Sequence, residues 1–152
     1  MEMHRGQGAT EYLVLLAVVL IVALVSVALL GFFPGMASDV KITQSSAYWK
    51  GARPFSIMDH SCTGQTCTLI VHNKEASGQY TITSLAVAGC NANGTQTAFA
   101  PGETKTTSIG TCTSGTSGQV YDFGVNFTYS TPNNAITGAK QYGSKNIIGK
   151  YV

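Results

Sequence analysis

The chain has 152 residues, 44% of them hydrophobic and only 11% charged, with a formal net charge of +2. So small and unclustered a charge excludes a nucleic-acid footprint or an acidic binding tail. The length allows one membrane helix plus a single soluble domain of about 114 residues, which is enough to build a core unaided.

The chain opens on a short polar segment, Met1-Glu2-Met3-His4-Arg5-Gly6, followed by Gln7-Gly8-Ala9-Thr10-Glu11 and an apolar run over residues 12–33. That run is 22 residues long, and only Ser26 and Gly31 interrupt it. At about 1.5 Å per helical residue it extends about 33 Å, enough to cross a hydrocarbon core of about 30 Å. Glu11 stands at its entrance. A carboxylate facing lipid costs about 2.5–3.5 kcal/mol at a helix centre and less near the interface, and such residues usually have partners. If a peptidase cuts after Gly6, the new α-amine of Gln7 lies four residues from Glu11. The amine of the same rigid helix is badly placed to reach it, whereas that of a neighbouring helix shifted along its axis is not.

These residues resemble the type IV pilin superfamily, and specifically the archaeal pilin-like proteins with class III signal peptides. Their pattern is Gln-x-Ser-x-Glu ahead of a long apolar helix, with cleavage immediately before the Gln. Here Ala9 replaces the Ser, one small residue for another. The resemblance implies a signal peptide of residues 1–6 removed between Gly6 and Gln7, and a hydrophobic filament-core helix over residues 7–33. It also implies a registry role for Gln7 and Glu11, a prepilin peptidase and an assembly platform as partners, and storage in the cell membrane before assembly. The motif and helix cover about 30 residues. A secretory signal peptide has a shorter apolar core, of about 7–15 residues, with its cleavage site after the core. An ordinary single-pass anchor fits the length but leaves the Gln7–Glu11 pattern without a reason.

Pro34-Gly35 is expected to stop or kink the helix, because proline lacks the amide donor and crowds the preceding turn. Residues 34–47 then form a neck, either helical or irregular, ahead of a head domain over residues 48–152. From Tyr48 on, short runs of β-branched and aromatic residues alternate with Gly, Asn, Ser and Pro clusters. The candidate strands are 53–58, 68–72, 79–87, 97–99, 104–109, 120–129 and 147–151. In the clearest, Tyr121, Phe123, Val125, Phe127 and Tyr129 alternate with Asp122, Gly124, Asn126 and Thr128, one face apolar and the other polar. In 79–87 the apolar phase shifts from Tyr80 and Ile82 to Leu85 and Val87, which predicts a bulge near Ser84. Pro101-Gly102 marks a turn. The expected fold is therefore α+β, a long N-terminal apolar helix followed by an antiparallel β-sandwich head of immunoglobulin-like type. Beyond the apolar run there are 17 Thr against 13 charged residues, a hydroxyl-rich surface suited to β-structure outside the cell.

All four cysteines, Cys62, Cys67, Cys90 and Cys112, follow the helix, and an even number in an exported domain indicates disulfides. Three pairings exist. Cys62–Cys67 across Thr63-Gly64-Gln65-Thr66, with Cys90–Cys112 closing a longer loop, is the favoured one. The longer bridge is worth about 3 kcal/mol on the chain-entropy account. Zinc is disfavoured, since C-x4-C lies at the edge of structural spacings and the other pair is far apart. Two sequons, at Asn93 and Asn126, are glycosylation candidates, and Asn126 belongs to the polar face of its strand.

The histidines are His4, His60 and His72. No nucleophile elbow, HExxH or phosphate-cradling glycine motif accompanies them, and Asp59-His60-Ser61 is too local to build a relay. They are expected to be surface or strand residues, and Trp49 to pack in the core or neck. No enzyme activity, cofactor or metal is expected. The expected role is a structural subunit of an archaeal type IV pilus, a homopolymer made through helix–helix packing that serves adhesion to an unspecified target. Two alternatives stand beside it. One is an uncleaved, membrane-tethered extracellular binding module. The other is an archaellin-like motility filament, ranked below adhesion because archaellins generally have a Gly-rich mature start.

Overall fold

A computed structural model describes residues 7–91 and 96–152, with the backbone alone at residue 7 and at residues 32–35. The chain is α+β, and among the described residues helix α1 (Gln7–Gly51) is followed by nine strands in antiparallel sheets. It divides into two compact units, the first ending at Asp39 and the second comprising Val40–Val152.

In the first unit α1 is leucine-, valine- and alanine-rich. Where no water is available, a helix satisfies every backbone amide and carbonyl internally. The serine within the apolar run does the same, because Ser26 Oγ donates to the Val22 carbonyl at 2.7 Å. The helix does not end at Pro34-Gly35 but continues to Gly51. A proline removes a single i→i−4 bond, and those of the neighbouring residues remain.

In the second unit the last turns of α1 turn apolar and hydroxyl side chains onto the sheets, and Lys50 sits favourably by the helix C-terminus. The strands are β1 (Phe55–Thr63), β2 (Thr66–Asn73), β3 (Tyr80–Val87), β4 (Thr97–Phe99), β5 (Thr104–Ile109), β6 (Val120–Phe123), β7 (Val125–Ser130), β8 (Ala139–Tyr142) and β9 (Ile147–Lys150). One sheet has the order β1-β2-β5, a second β4-β3-β7-β8, and β6 pairs with β9. A single core unites them. Phe55 from the first sheet lies 5.5 Å, ring to ring, from Phe99, Phe127 and Tyr129 of the second.

The bulge expected near Ser84 is present. Register slips between Ile82 and Ser84, and Ile82, Leu85 and Val87 all reach the core. The extra residue, Thr83, uses its hydroxyl to donate to the Thr128 carbonyl at 3.1 Å.

Three strand expectations need correction. The 120–129 strand breaks at Gly124 into β6 and β7, which pair with different partners, although the inside–outside alternation runs through the break. β1 does not stop at Met58. It passes a bulge between Ile57 and Asp59 and runs on to Thr63, where a turn with Gly64 in the left-handed region (φ 58°) starts β2. β8 was not expected at all, because Ala139-Lys140-Gln141-Tyr142 contains no β-branched residue.

Candidate functional site

The outer surface of α1 is the most unusual feature of the molecule. From Tyr12 to Leu30 its large apolar side chains are exposed all round, from 43% at Leu16 to 70% at Leu30. A helix apolar on every side is stable only in an apolar surrounding, that is, lipid or other helices. Gly8 and Gly31 add a second observation, since a Cβ at either would meet nothing within 4 Å. Among the described residues, no contact accounts for a glycine at either position. Glu11 is exposed beside Thr10, Val14 and Leu15, and among the described residues it has no cationic partner. Gln7 begins the helix. Gly6, His4 and the rest of the expected signal peptide lie outside the described residues.

The last turns of α1 are fastened to the sheets by polar contacts that the sequence does not advertise. Ser45, 1% exposed, donates through Oγ to the Asn146 carbonyl at 2.6 Å and accepts from the Ile148 amide at 3.2 Å. The Tyr48 hydroxyl accepts from the Ser144 amide at 3.0 Å. Trp49 is fully buried, edge-on to Tyr48 and Phe127, as core packing requires. Gly143 lies against its ring so closely that a Cβ there would fall 2.3 Å from Cζ2.

The disulfides are Cys62–Cys67 and Cys90–Cys112. The first joins directly opposed residues of β1 and β2, and the second ties the segment after β3 to the segment after β5. Two disulfides indicate an oxidising compartment, and with them an extracellular domain. The apolar helix, for its part, indicates membrane insertion or a signal element.

The two histidines among the described residues, His60 and His72, are built into the sheets. His60 is half-buried, its Nδ1 2.7 Å from the Tyr121 hydroxyl. Burial lowers the His60 pKa below 6.5, opposed by the negative charge of Asp59. Burial, Asp59 and Tyr151 push the Tyr121 phenol up to about 12. His72 Nδ1 meets the Thr104 hydroxyl at 2.9 Å. Asn73, absent from the sequence expectations, is fully buried. It donates to the Phe99 and Ala100 carbonyls and accepts from the Glu75 amide, tying the segment after β2 to the β4–β5 turn.

Asn126 is exposed on β7 and paired across the sheet with Tyr142, while Asn93 lies outside the described residues. Two open clefts of about 400 Å³ mark the head. Arg53, His72, Lys74 and Glu75 help to line one, and Lys41, Ser45, Asp122 and Lys145 the other.

No known protein family matches the chain, and no curated protein is significantly similar to it. What is established is the class: a pilin-like architecture in which an exposed N-terminal hydrophobic helix leads into antiparallel sheets carrying two disulfides.

Proposed function

We propose that the protein is the structural subunit of an archaeal type IV pilus, a surface filament for adhesion built by polymerisation through α1. The observation that carries this reading is the exposure of α1 on every side, together with two glycines that no contact among the described residues explains. Before assembly, a prepilin peptidase cuts between Gly6 and Gln7 and the helix is stored in the membrane. An assembly platform then bundles the helices side by side, and the small residues at Gly8, Ala9, Ala17, Ala23, Ala28 and Gly31 admit close approach.

Lipid and a filament core are similarly apolar, so Leu and Val side chains are nearly indifferent to the transfer. Selectivity falls to the polar groups. Two unit charges 4 Å apart at an effective dielectric near 20 attract by about 4 kcal/mol before desolvation is subtracted. Pairing Glu11 with the Gln7 amine of a neighbour fixes the axial stagger of one helix against the next. If Gln7 cyclises and loses its charge, neutral donors such as Thr10 take that part.

The head is proposed to be an immunoglobulin-like sandwich. This is supported by a three-stranded and a four-stranded sheet sharing one core, with β3 and β7 central in the second. The test of the function is Glu11→Ala expressed in the native cells. The variant inserts in the membrane and yields no filaments. Abundant normal filaments from it remove the registry argument.

A further inference from the structure

The two disulfides lie beside one another. Sγ of Cys67, Cys90 and Cys112 all fall within 4.8 Å of one another, and Cys62 lies outside that group. The backbone holds them there, because the Cys112 amide donates at 2.9 Å to the carbonyl of Gln65 in the β1–β2 turn. Access to the four differs. Cys62, Cys67 and Cys112 are buried, at 0%, 1% and 4% exposure, and Cys90 is half-buried. A solution thiol therefore reaches Cys90 first, and the sulfur it releases is already next to the other bridge.

We propose that the four cysteines form a thiol–disulfide exchange relay, in which reduction entering at Cys90 is passed through Cys112 to Cys67 and emerges as a free thiol at Cys62. Exchange proceeds by attack of a thiolate on a disulfide sulfur, and access decides which sulfur is attacked. A dithiol reductant attacks Cys90 Sγ through one thiolate; a mixed disulfide forms and Cys112 leaves as a thiolate. Cys112 Sγ attacks Cys67 Sγ; the Cys67–Cys112 bond forms, the Cys62–Cys67 bond breaks, and Cys62 leaves with the electron pair and takes up a proton. The second thiol of the reductant displaces Cys90, which is protonated in turn. The reductant departs as its cyclic disulfide, and the protein has gained two electrons and two protons.

The exchange leaves the head still cross-linked. The new bond joins positions 45 apart (112 − 67), against 22 and 5 for the two bridges that were opened. It also leaves Cys90 as a half-buried thiol whose former partner is bonded to Cys67, so Cys90 regains it only by a further exchange at the Cys67–Cys112 bond.

The experiment is partial reduction of the full-length oxidised protein with limiting dithiothreitol, trapping with N-ethylmaleimide, and peptide mapping of the doubly labelled species. The relay predicts a doubly labelled population carrying its labels on Cys62 and Cys90, with a Cys67–Cys112 cross-link. In the variant Cys62→Ser/Cys67→Ser the labels fall on Cys90 and Cys112. Labels confined to Cys90 and Cys112 in the wild-type protein, or to Cys62 and Cys67, overturn the proposal. So does the absence of any doubly labelled species before the fully reduced one.

Discussion

The side chain of Gln141 on β8 meets the backbone of Phe55 on β1 as a neighbouring strand would. The Phe55 amide donates to Oε1 at 3.0 Å, and Nε2 donates to the Phe55 carbonyl at 2.7 Å. β1 and β8 are edge strands of different sheets, so one side-chain amide closes the seam between them. The opposite seam is closed in the same manner. Lys105 of β5 donates to the Ala98 carbonyl of β4 and lies 5.3 Å from the centre of the Phe99 ring. In the head, the edges of the three-stranded and four-stranded sheets are thus joined at two places, each by a side chain on a backbone carbonyl.

The first prediction follows from that pairing. In Gln141→Glu the Phe55 carbonyl loses its donor while the side chain keeps its shape. An orphaned buried polar group costs about 1–3 kcal/mol, and an acceptor-only carboxylate cannot repair it. Denaturant unfolding of Gln141→Glu should show a lower midpoint at neutral pH than wild type. An unchanged midpoint would mean that the seam does not depend on this bond.

A second prediction concerns Gly143. A Cβ there falls 2.3 Å from Trp49 Cζ2 and 2.9 Å from the Val125 carbonyl oxygen, and neither the packed indole nor the strand backbone yields cheaply. Overpacking of this kind costs about 1–3 kcal/mol. Gly143→Ala should therefore be clearly less stable than Gly110→Ala, whose Cβ meets nothing within 4 Å. Calorimetric melting of the pair checks this, and equal melting temperatures would place Trp49 elsewhere.

The third prediction is a pH dependence. His60 is surrounded by the Tyr121 hydroxyl and the Asp59 carboxylate, and burial lowers its pKa in the folded state below the unfolded value of 6.5. A histidine so shifted favours the folded state while neutral. Its contribution is fully present above pH 6.5 and is lost as the pH falls through the lowered value. Tyr121, held protonated with a pKa of about 12, does not titrate in this window. Wild-type stability should therefore drop on acidification below pH 6.5, and His60→Gln should flatten that part of the profile. Parallel profiles for the two proteins would assign the acid sensitivity to other groups.

Legibility in the sequence followed the strength of periodic signals. The apolar helix, the Ser84 bulge and the inward face from Tyr121 to Phe127 are written in runs long enough to read, whereas the disulfides were legible from the even number of cysteines and the short spacer between Cys62 and Cys67. β8 is four residues long and turns a polar residue, Gln141, inward, so period-2 hydrophobicity does not reveal it. The clamp at Ser45 was invisible for a related reason. A hydroxyl in a helix has many possible partners, and the chain separation from Asn146 is 101 residues. Of the stop or kink expected at Pro34-Gly35, the stop does not occur, since a single missing amide bond does not decide the fate of a helix of 45 residues. At the N-terminus the structure places Glu11 exposed at the start of the apolar helix, and the partner proposed for it belongs to another copy of the chain.

The most direct measurement is intact and N-terminal mass spectrometry of the protein from filaments sheared off its own cells. A chain beginning at Gln7, free or cyclised, as the main component of those filaments is the result that assembly through α1 predicts. A solitary membrane protein still beginning at Met1 would contradict it.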